Sequence, residues 1–91
     1  MGITVRIPGP LRRVTNGEEK VDVGGDTLEA CIGELETRFP GIKERLLDEN
    51  GEMRYFVNVY LNGEDVRFLE GLGTPTKAGD ELSIVPAVAG G

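Results

Sequence analysis

The chain has 91 residues, a formal charge of −6 from 16 acidic and 10 basic side chains, one cysteine and no histidine. This length makes one domain. With aromatics at 5% and no tryptophan, the core falls to Val, Leu and Ile, leaving little volume for a deep substrate cavity. Without histidine the commonest general base and the usual nucleophile–His pairs are absent. One Cys cannot supply a Cys/His zinc site or an internal disulfide.

The acidic balance argues against nucleic acid, whose phosphates need clustered Lys and Arg. It serves solubility, or suits a basic partner surface. The sequence contains no apolar run of about 18 residues that would cross a membrane. It has no phosphate-binding loop of the G-x-x-x-x-G-K-[ST] type, and its start lacks the basic and apolar segments of a signal peptide. The expectation is a cytoplasmic protein rather than an ordinary enzyme, with no bound metal or cofactor, no nucleic acid and no membrane.

Ile3-Thr4-Val5-Arg6-Ile7 alternates apolar and polar residues, the period of a half-buried strand, and Pro8-Gly9-Pro10 stops it. Leu11 to Glu18 reads as a loop with a turn at Asn16-Gly17. Lys20-Val21-Asp22-Val23 alternates again and pairs back as a hairpin. After Gly24-Gly25, Asp26 is positioned as a helix N-cap with Glu29 completing a capping box. Leu28, Ile32, Leu35 and Phe39 then form one apolar stripe. Pro40-Gly41 ends that helix, and Ile42 to Leu47 makes a further short turn or helix.

Tyr55 to Leu61 is the strongest strand signal, rich in β-branched and aromatic residues. Val57, Val59 and Leu61 share one face; Phe56, Asn58 and Tyr60 share the other. Asn62-Gly63 is a tight hairpin turn, with Val66 and Phe68 on a short return strand. Gly71 to Gly79 is irregular. Glu81 to Val85 is the last strand, and Pro86 releases the chain. The division is a domain over residues 1–86 and a flexible tail over 87–91.

The tail Ala87-Val88-Ala89-Gly90-Gly91 is either a frayed end or the reactive part of the molecule. Glycine lacks a Cβ, so a Gly-Gly end threads a narrow channel and leaves its carboxylate unhindered. Five extended residues after Pro86 reach about 17 Å, enough to enter another protein's active site while the domain docks outside.

The element order and the ending Pro86-Ala87-Val88-Ala89-Gly90-Gly91 resemble the ubiquitin-like sulfur carriers of the MoaD and ThiS type. Gly25-Asp26-Thr27-Leu28, Phe56-Val57-Asn58-Val59-Tyr60, Glu64-Asp65-Val66-Arg67-Phe68 and Ala78-Gly79-Asp80-Glu81-Leu82 are most similar to the CysO-type branch, which supplies sulfide for cysteine biosynthesis. The resemblance implies an α+β, ubiquitin-like β-grasp fold: a mixed sheet of four to five strands, its first and last strands parallel, with one main helix on one face. It also implies that an E1-like enzyme adenylates Gly91, consuming ATP, and that sulfide converts the adenylate to a thiocarboxylate. The acceptor would be a pyridoxal-phosphate cysteine synthase, with a metallopeptidase releasing the product. Molybdopterin synthesis and conjugation to target lysines are the alternatives within the same resemblance.

Phe56, Tyr60 and Val85 are candidates for an exposed apolar docking patch on the sheet face opposite the helix; the alternative is that loops cover them. Cys31 lies on or beside the apolar stripe, where a free cysteine is a small core residue, and no histidine exists to lower its pKa. The acids Asp48, Glu49 and Glu52 do not have calcium-loop spacing and read as a solvated turn.

Overall fold

The computed structural model describes residues 2–86, so the expected tail, Ala87 to Gly91, lies outside the described residues. The alternating segments form strands β1 (Ile3–Arg6) and β2 (Lys20–Val23), antiparallel with Val5 opposite Val21. Helix α1 (Leu28–Arg38) and short helix α2 (Ile42–Leu46) follow, then β3 (Val57–Leu61), β4 (Glu64–Asp65) and β5 (Glu81–Pro86). The sheet order is β2-β1-β5-β3-β4. The last strand therefore lies in the centre, parallel to β1 (Val5 opposite Leu82) and antiparallel to β3 (Val59 opposite Ile84). This is the mixed sheet with one main helix that the resemblance implies.

The inward residues of each strand meet the helices. Ile3, Val5, Val21, Val23, Val57, Val59, Leu82 and Ile84 are buried, as are Leu28, Cys31, Ile32 and Leu35 of α1 and Ile42 and Leu46 of α2. Phe39 and Leu61, expected on the same faces, are only partly buried at the margin of this core. The gap left between α1 and the sheet, beside Val5, Leu28 and Val59, is about 10 Å³. That is at the lower limit for a single water, so this gap is too small for a substrate.

The helix start differs from expectation by one residue. Thr27, not Asp26, is the N-cap; its Oγ1 accepts from Ala30 N–H at 3.2 Å, and Glu29 closes no capping box. The reason is tertiary. The Asp26 carbonyl accepts from Thr76 N–H at 2.9 Å and Leu28 N–H donates to the Thr74 carbonyl at 3.0 Å. Thr27 is thus held extended, bridged to Pro75, and the helix begins only at Leu28. Gly25 faces α1 so closely that a Cβ there would lie 2.9 Å from Cys31 N and 3.0 Å from Ala30 Cβ.

Strand limits also differ: β1 ends at Arg6 and β3 begins only at Val57. The return strand is Glu64–Asp65, and Val66–Phe68 is instead a 3-10 turn, because the Asp65 carboxylate accepts from Arg67 N–H at 2.8 Å and turns the chain. Pro86 does not end the pairing: it is the last residue of β5, opposite Val57. The Asn62-Gly63 hairpin is as expected, with positive φ at both residues (52° and 89°), the requirement of a type I′ turn.

A polar lock joins this hairpin to β5. Asn62 Nδ2 donates to Asp80 Oδ1 at 3.1 Å, Glu81 N–H donates to Asn62 Oδ1 at 3.0 Å, and Lys77 N–H donates to Asp80 Oδ2 at 3.0 Å. The Asn62 amide and the Lys77 N–H hold the Asp80 carboxyl below its usual range, since both donate to the charged form.

Two stability outcomes follow from these contacts. Gly25→Ala forces a Cβ against the first turn of α1 and costs about 1–3 kcal/mol, measurable by urea unfolding. Asp80 has a folded pKa below its unfolded one, so its contribution is complete above about pH 4 and is lost as pH falls through the lowered folded value. Asp80→Asn therefore lowers the thermal midpoint at pH 7, and the difference from wild type narrows on titration to pH 3.

Candidate functional site

The central position of β5 decides where the tail begins. β1 ends at Arg6 opposite Ser83, so Ile84 to Pro86 run beyond it, paired only with β3. Pro10 and Leu11 of the 3-10 turn Gly9–Leu11 share a groove with Pro86 at this projecting end. An open groove of about 630 Å³ lies there, lined by Pro10, Leu11, Arg45, Arg54, Phe56 and Pro86 among others. The expected reactive residue, Gly91, and the tail residues Ala87, Val88, Ala89 and Gly90 lie outside the described residues; Pro86 is the point from which they start.

The three docking candidates are divided between two places. Tyr60 and Val85 stand on the sheet face away from the helices: Asn58 faces Val85 and Tyr60 faces Ser83 in the β3–β5 ladder. Val85 is 45% exposed and Tyr60 half-buried. Phe56, 38% exposed, precedes β3 and lines the groove at the sheet end with Leu11 and Pro86. It is set there by a turn in which Val57 N–H donates to the Arg54 carbonyl at 3.0 Å. The face around Tyr60 and Val85 is otherwise polar, with Thr4, Arg6, Lys20, Asp22, Glu81 and Ser83 in register across β2, β1 and β5.

The structure adds exposed residues that the sequence pattern did not single out. Tyr55 is 91% and Phe68 84% exposed. Tyr55 stacks edge-on against Phe56, ring centroids 5.4 Å apart. Strand alternation offered no signal for two adjacent aromatics that both face outward. The sequence signal for Phe68 was Asp65, whose carboxylate caps the turn that carries Phe68 away from the sheet.

Cys31, Glu36 and Asp48 each serve the fold. Cys31 is fully buried, its Sγ 3.6 Å from Thr76 Oγ1, which in turn donates to the Gly25 carbonyl at 2.8 Å. Burial pushes its thiol up, the opposite of what a nucleophile needs. The Glu36 carboxyl is held low by the N–H groups of Lys43 and Gly41, which it caps at the start of α2. Asp48 Oδ1 accepts from Asn50 and Glu52 N–H, closing its own turn. Among the described residues no group of three or more Cys, Asp or Glu is gathered for a metal ion, and no helix is long and apolar enough to cross a membrane.

Comparison with known proteins agrees with this architecture. The ThiS family model matches residues 5–91. The sulfur carrier protein CysO of Mycobacterium tuberculosis (strain H37Rv) is 50% identical over 93 residues, covering the whole of both chains. A solved structure of the Amycolatopsis orientalis BexX/CysO complex superposes with a TM-score of 0.94 at 49% identity, covering 99% of this chain and 100% of that one. Small archaeal modifier protein 1 of Haloferax volcanii is 38% identical over 73 residues, 79% of each chain. A central last strand that projects toward the tail, a filled core and a family match running through Gly90 and Gly91 converge on one assignment: the chain belongs to the ThiS family, with the ubiquitin-like β-grasp fold.

Proposed function

We propose that this protein is a sulfur carrier for cysteine biosynthesis, which holds sulfide as a thiocarboxylate on Gly91. The observation that carries the proposal is the 50% identity with a sulfur carrier protein along the whole length of both chains, with the family match extending through the Gly-Gly pair.

The chemistry is acyl activation. The Gly91 carboxylate attacks the α-phosphorus of ATP on an E1-like partner, and pyrophosphate leaves. Sulfide then attacks the acyl carbon of the adenylate and AMP leaves. The net change on the carrier is one oxygen replaced by sulfur. The thiocarboxylate sulfur is the nucleophile toward the next acceptor, an aminoacrylate held by a pyridoxal-phosphate synthase. A metallopeptidase then cleaves the cysteine product from the carrier. ATP is consumed by the activating enzyme and is not a ligand of the carrier.

This domain contributes presentation. Its filled interior and open surface grooves support a carrier that is itself the substrate of its partners. β5 fixes the start of the tail on the most heavily paired strand of the sheet, so a docked partner receives the tail from a constant point. The likeness to an archaeal modifier protein favours one second reading, conjugation of Gly91 to target lysines, which would start from the same adenylate.

Incubation with the matched E1-like enzyme, ATP and sulfide should raise the intact mass by the difference between sulfur and oxygen, and deletion of Gly91 should abolish the gain. A matched enzyme that adenylates the chain yet yields only lysine conjugates in lysate would replace the carrier reading by the modifier one. Cys31→Ala should retain full sulfur incorporation; loss of the mass gain in a folded Cys31→Ala protein would move the sulfur from the tail to the thiol.

A further inference from the structure

The chain is acidic as a whole, and Arg54 also borders a neighbouring groove lined by Glu36, Asp48 and Glu49, yet the groove beside the tail start holds two arginines to one glutamate. Arg45 and Arg54 line the groove that contains Phe56 and Pro86, with Glu44 as the acid among its lining residues. Arg54 Nε donates to the Glu44 carbonyl at 3.0 Å. Arg67 reaches the same place from the turn after β4: its Nη1 donates to Asn58 Oδ1 at 2.6 Å and its Nη2 to the Arg54 carbonyl at 2.9 Å. The described ion pairs are Arg6–Glu81 and Arg12–Glu19; among the described residues neither Arg54 nor Arg67 is paired with a carboxylate. Both guanidiniums are therefore held by neutral acceptors and keep spare N–H donors.

The aromatic neighbours of these two residues face outward. Tyr55 follows Arg54 and Phe68 follows Arg67, and both are almost fully exposed. Exposed Tyr and Arg side chains are the residue types that dominate binding at protein interfaces. Arginines already fixed by hydrogen bonds lose less rotamer freedom on binding. Guanidiniums with free donors fit carboxylates, which they bind through parallel hydrogen bonds.

We infer that Arg54, Tyr55, Phe56 and Arg67 form a docking platform for a partner surface that presents carboxylates around an apolar slot. The partner is the adenylating enzyme, at the mouth of the channel that takes the tail. The placement supports this choice. The platform shares a groove with Pro86, and five extended residues from there span about 17 Å, so an enzyme seated on the platform meets Gly91 within its own active site. The inference runs against the net charge of the protein, which by itself favours a basic partner surface. It rests on the carrier reading for the identity of the partner.

The test is calorimetric titration of the full 91-residue chain into the adenylating enzyme encoded by the same genome. Dissociation constants are compared for wild type, the double variant Arg54→Glu with Arg67→Glu, and Tyr55→Asp, each checked for native amide dispersion by NMR. Tyr55 is 91% exposed and its described ring contact is with Phe56, so its replacement leaves the fold intact even if the arginine pair is needed for folding. The double variant should bind at least about tenfold more weakly, Tyr55→Asp several-fold more weakly, and added NaCl should weaken wild type more than the double variant. Unchanged affinity in the folded variants overturns the platform. Tighter binding of the double variant also overturns it, because the acidic surface would then be the one facing the enzyme. Sulfur incorporation at saturating carrier is read separately. Its absence, with the variant affinities still shifted, removes the carrier reading and leaves the platform standing.

Discussion

The structure depends on the insertion of residues 81–86 between β1 and β3. Until that strand is in place, the β1–β2 hairpin and the β3–β4 hairpin are separate two-stranded pieces, and isolated hairpins are marginal in water. β5 supplies the hydrogen-bond ladder on both sides and contributes Leu82 and Ile84 to the shared core. The pairing of Val5 with Leu82 joins segments far apart in the chain, a contact with a high loop-closure entropy cost. The polar lock of Asn62, Lys77 and Asp80 acts on the same strand: it fixes the entry of β5 at Glu81 and so sets the register that decides which of its side chains face the helices. A one-residue slip would send Leu82 and Ile84 outward and displace the point at which the tail begins.

That arrangement couples stability to presentation. In a fold whose last strand lay at an edge, a partner pulling on the tail would act on a weakly held element. Here the strand leading to the tail is paired on both sides at its start and on one side at its end, and tension on residues 87–91 is opposed by most of the sheet. The edges are managed separately. On β2, Arg38 donates to the Asp22 carbonyl, occupying one edge acceptor that would otherwise invite another strand. β4 is only two residues long before Asp65 turns the chain away, which keeps the opposite edge short.

The architecture was legible where local pattern and tertiary demand agree. The alternation of Ile3–Ile7 and Lys20–Val23, the stripe of Leu28, Ile32 and Leu35, and Asn62-Gly63 each have one physical solution, and the structure adopts it. The differences arise where a distant segment intervenes. Asp26 has the right chemistry for an N-cap, but the 74–76 segment takes its carbonyl, and Thr27 caps instead. Phe68 fits the alternation of a return strand, but a local carboxylate–amide bond at Asp65 turns the chain first. Tyr55 belongs to the apolar run by composition, yet the turn between Arg54 and Val57 excludes it from the sheet. At the candidate site, the Gly-Gly ending could be proposed from the sequence because the chemistry it suggests is that of the residues themselves. The arginine platform did not, since Arg54 and Arg67 are 13 positions apart and only the β3–β4 hairpin brings them together.

A carrier of this kind faces a constraint that explains the unusual exposure of its aromatics. The tail cannot supply much recognition energy: two glycines offer no side chain, and ordering them costs backbone entropy. Specific docking must then come from the domain. The same domain must leave after each transfer, so the interface has to be small and its affinity modest. A few large, exposed side chains flanked by fixed charges meet both demands, because area from Tyr55 and Phe56 is gained without conformational rearrangement while the surrounding charge restricts partners by sign. The liability is self-association through the same aromatics. Arg54 and Arg67 oppose it: in a symmetric contact of two copies through this patch, like guanidiniums would be brought together. On the proposed docking, the charge that selects an acidic partner would also disfavour a symmetric contact between two carriers.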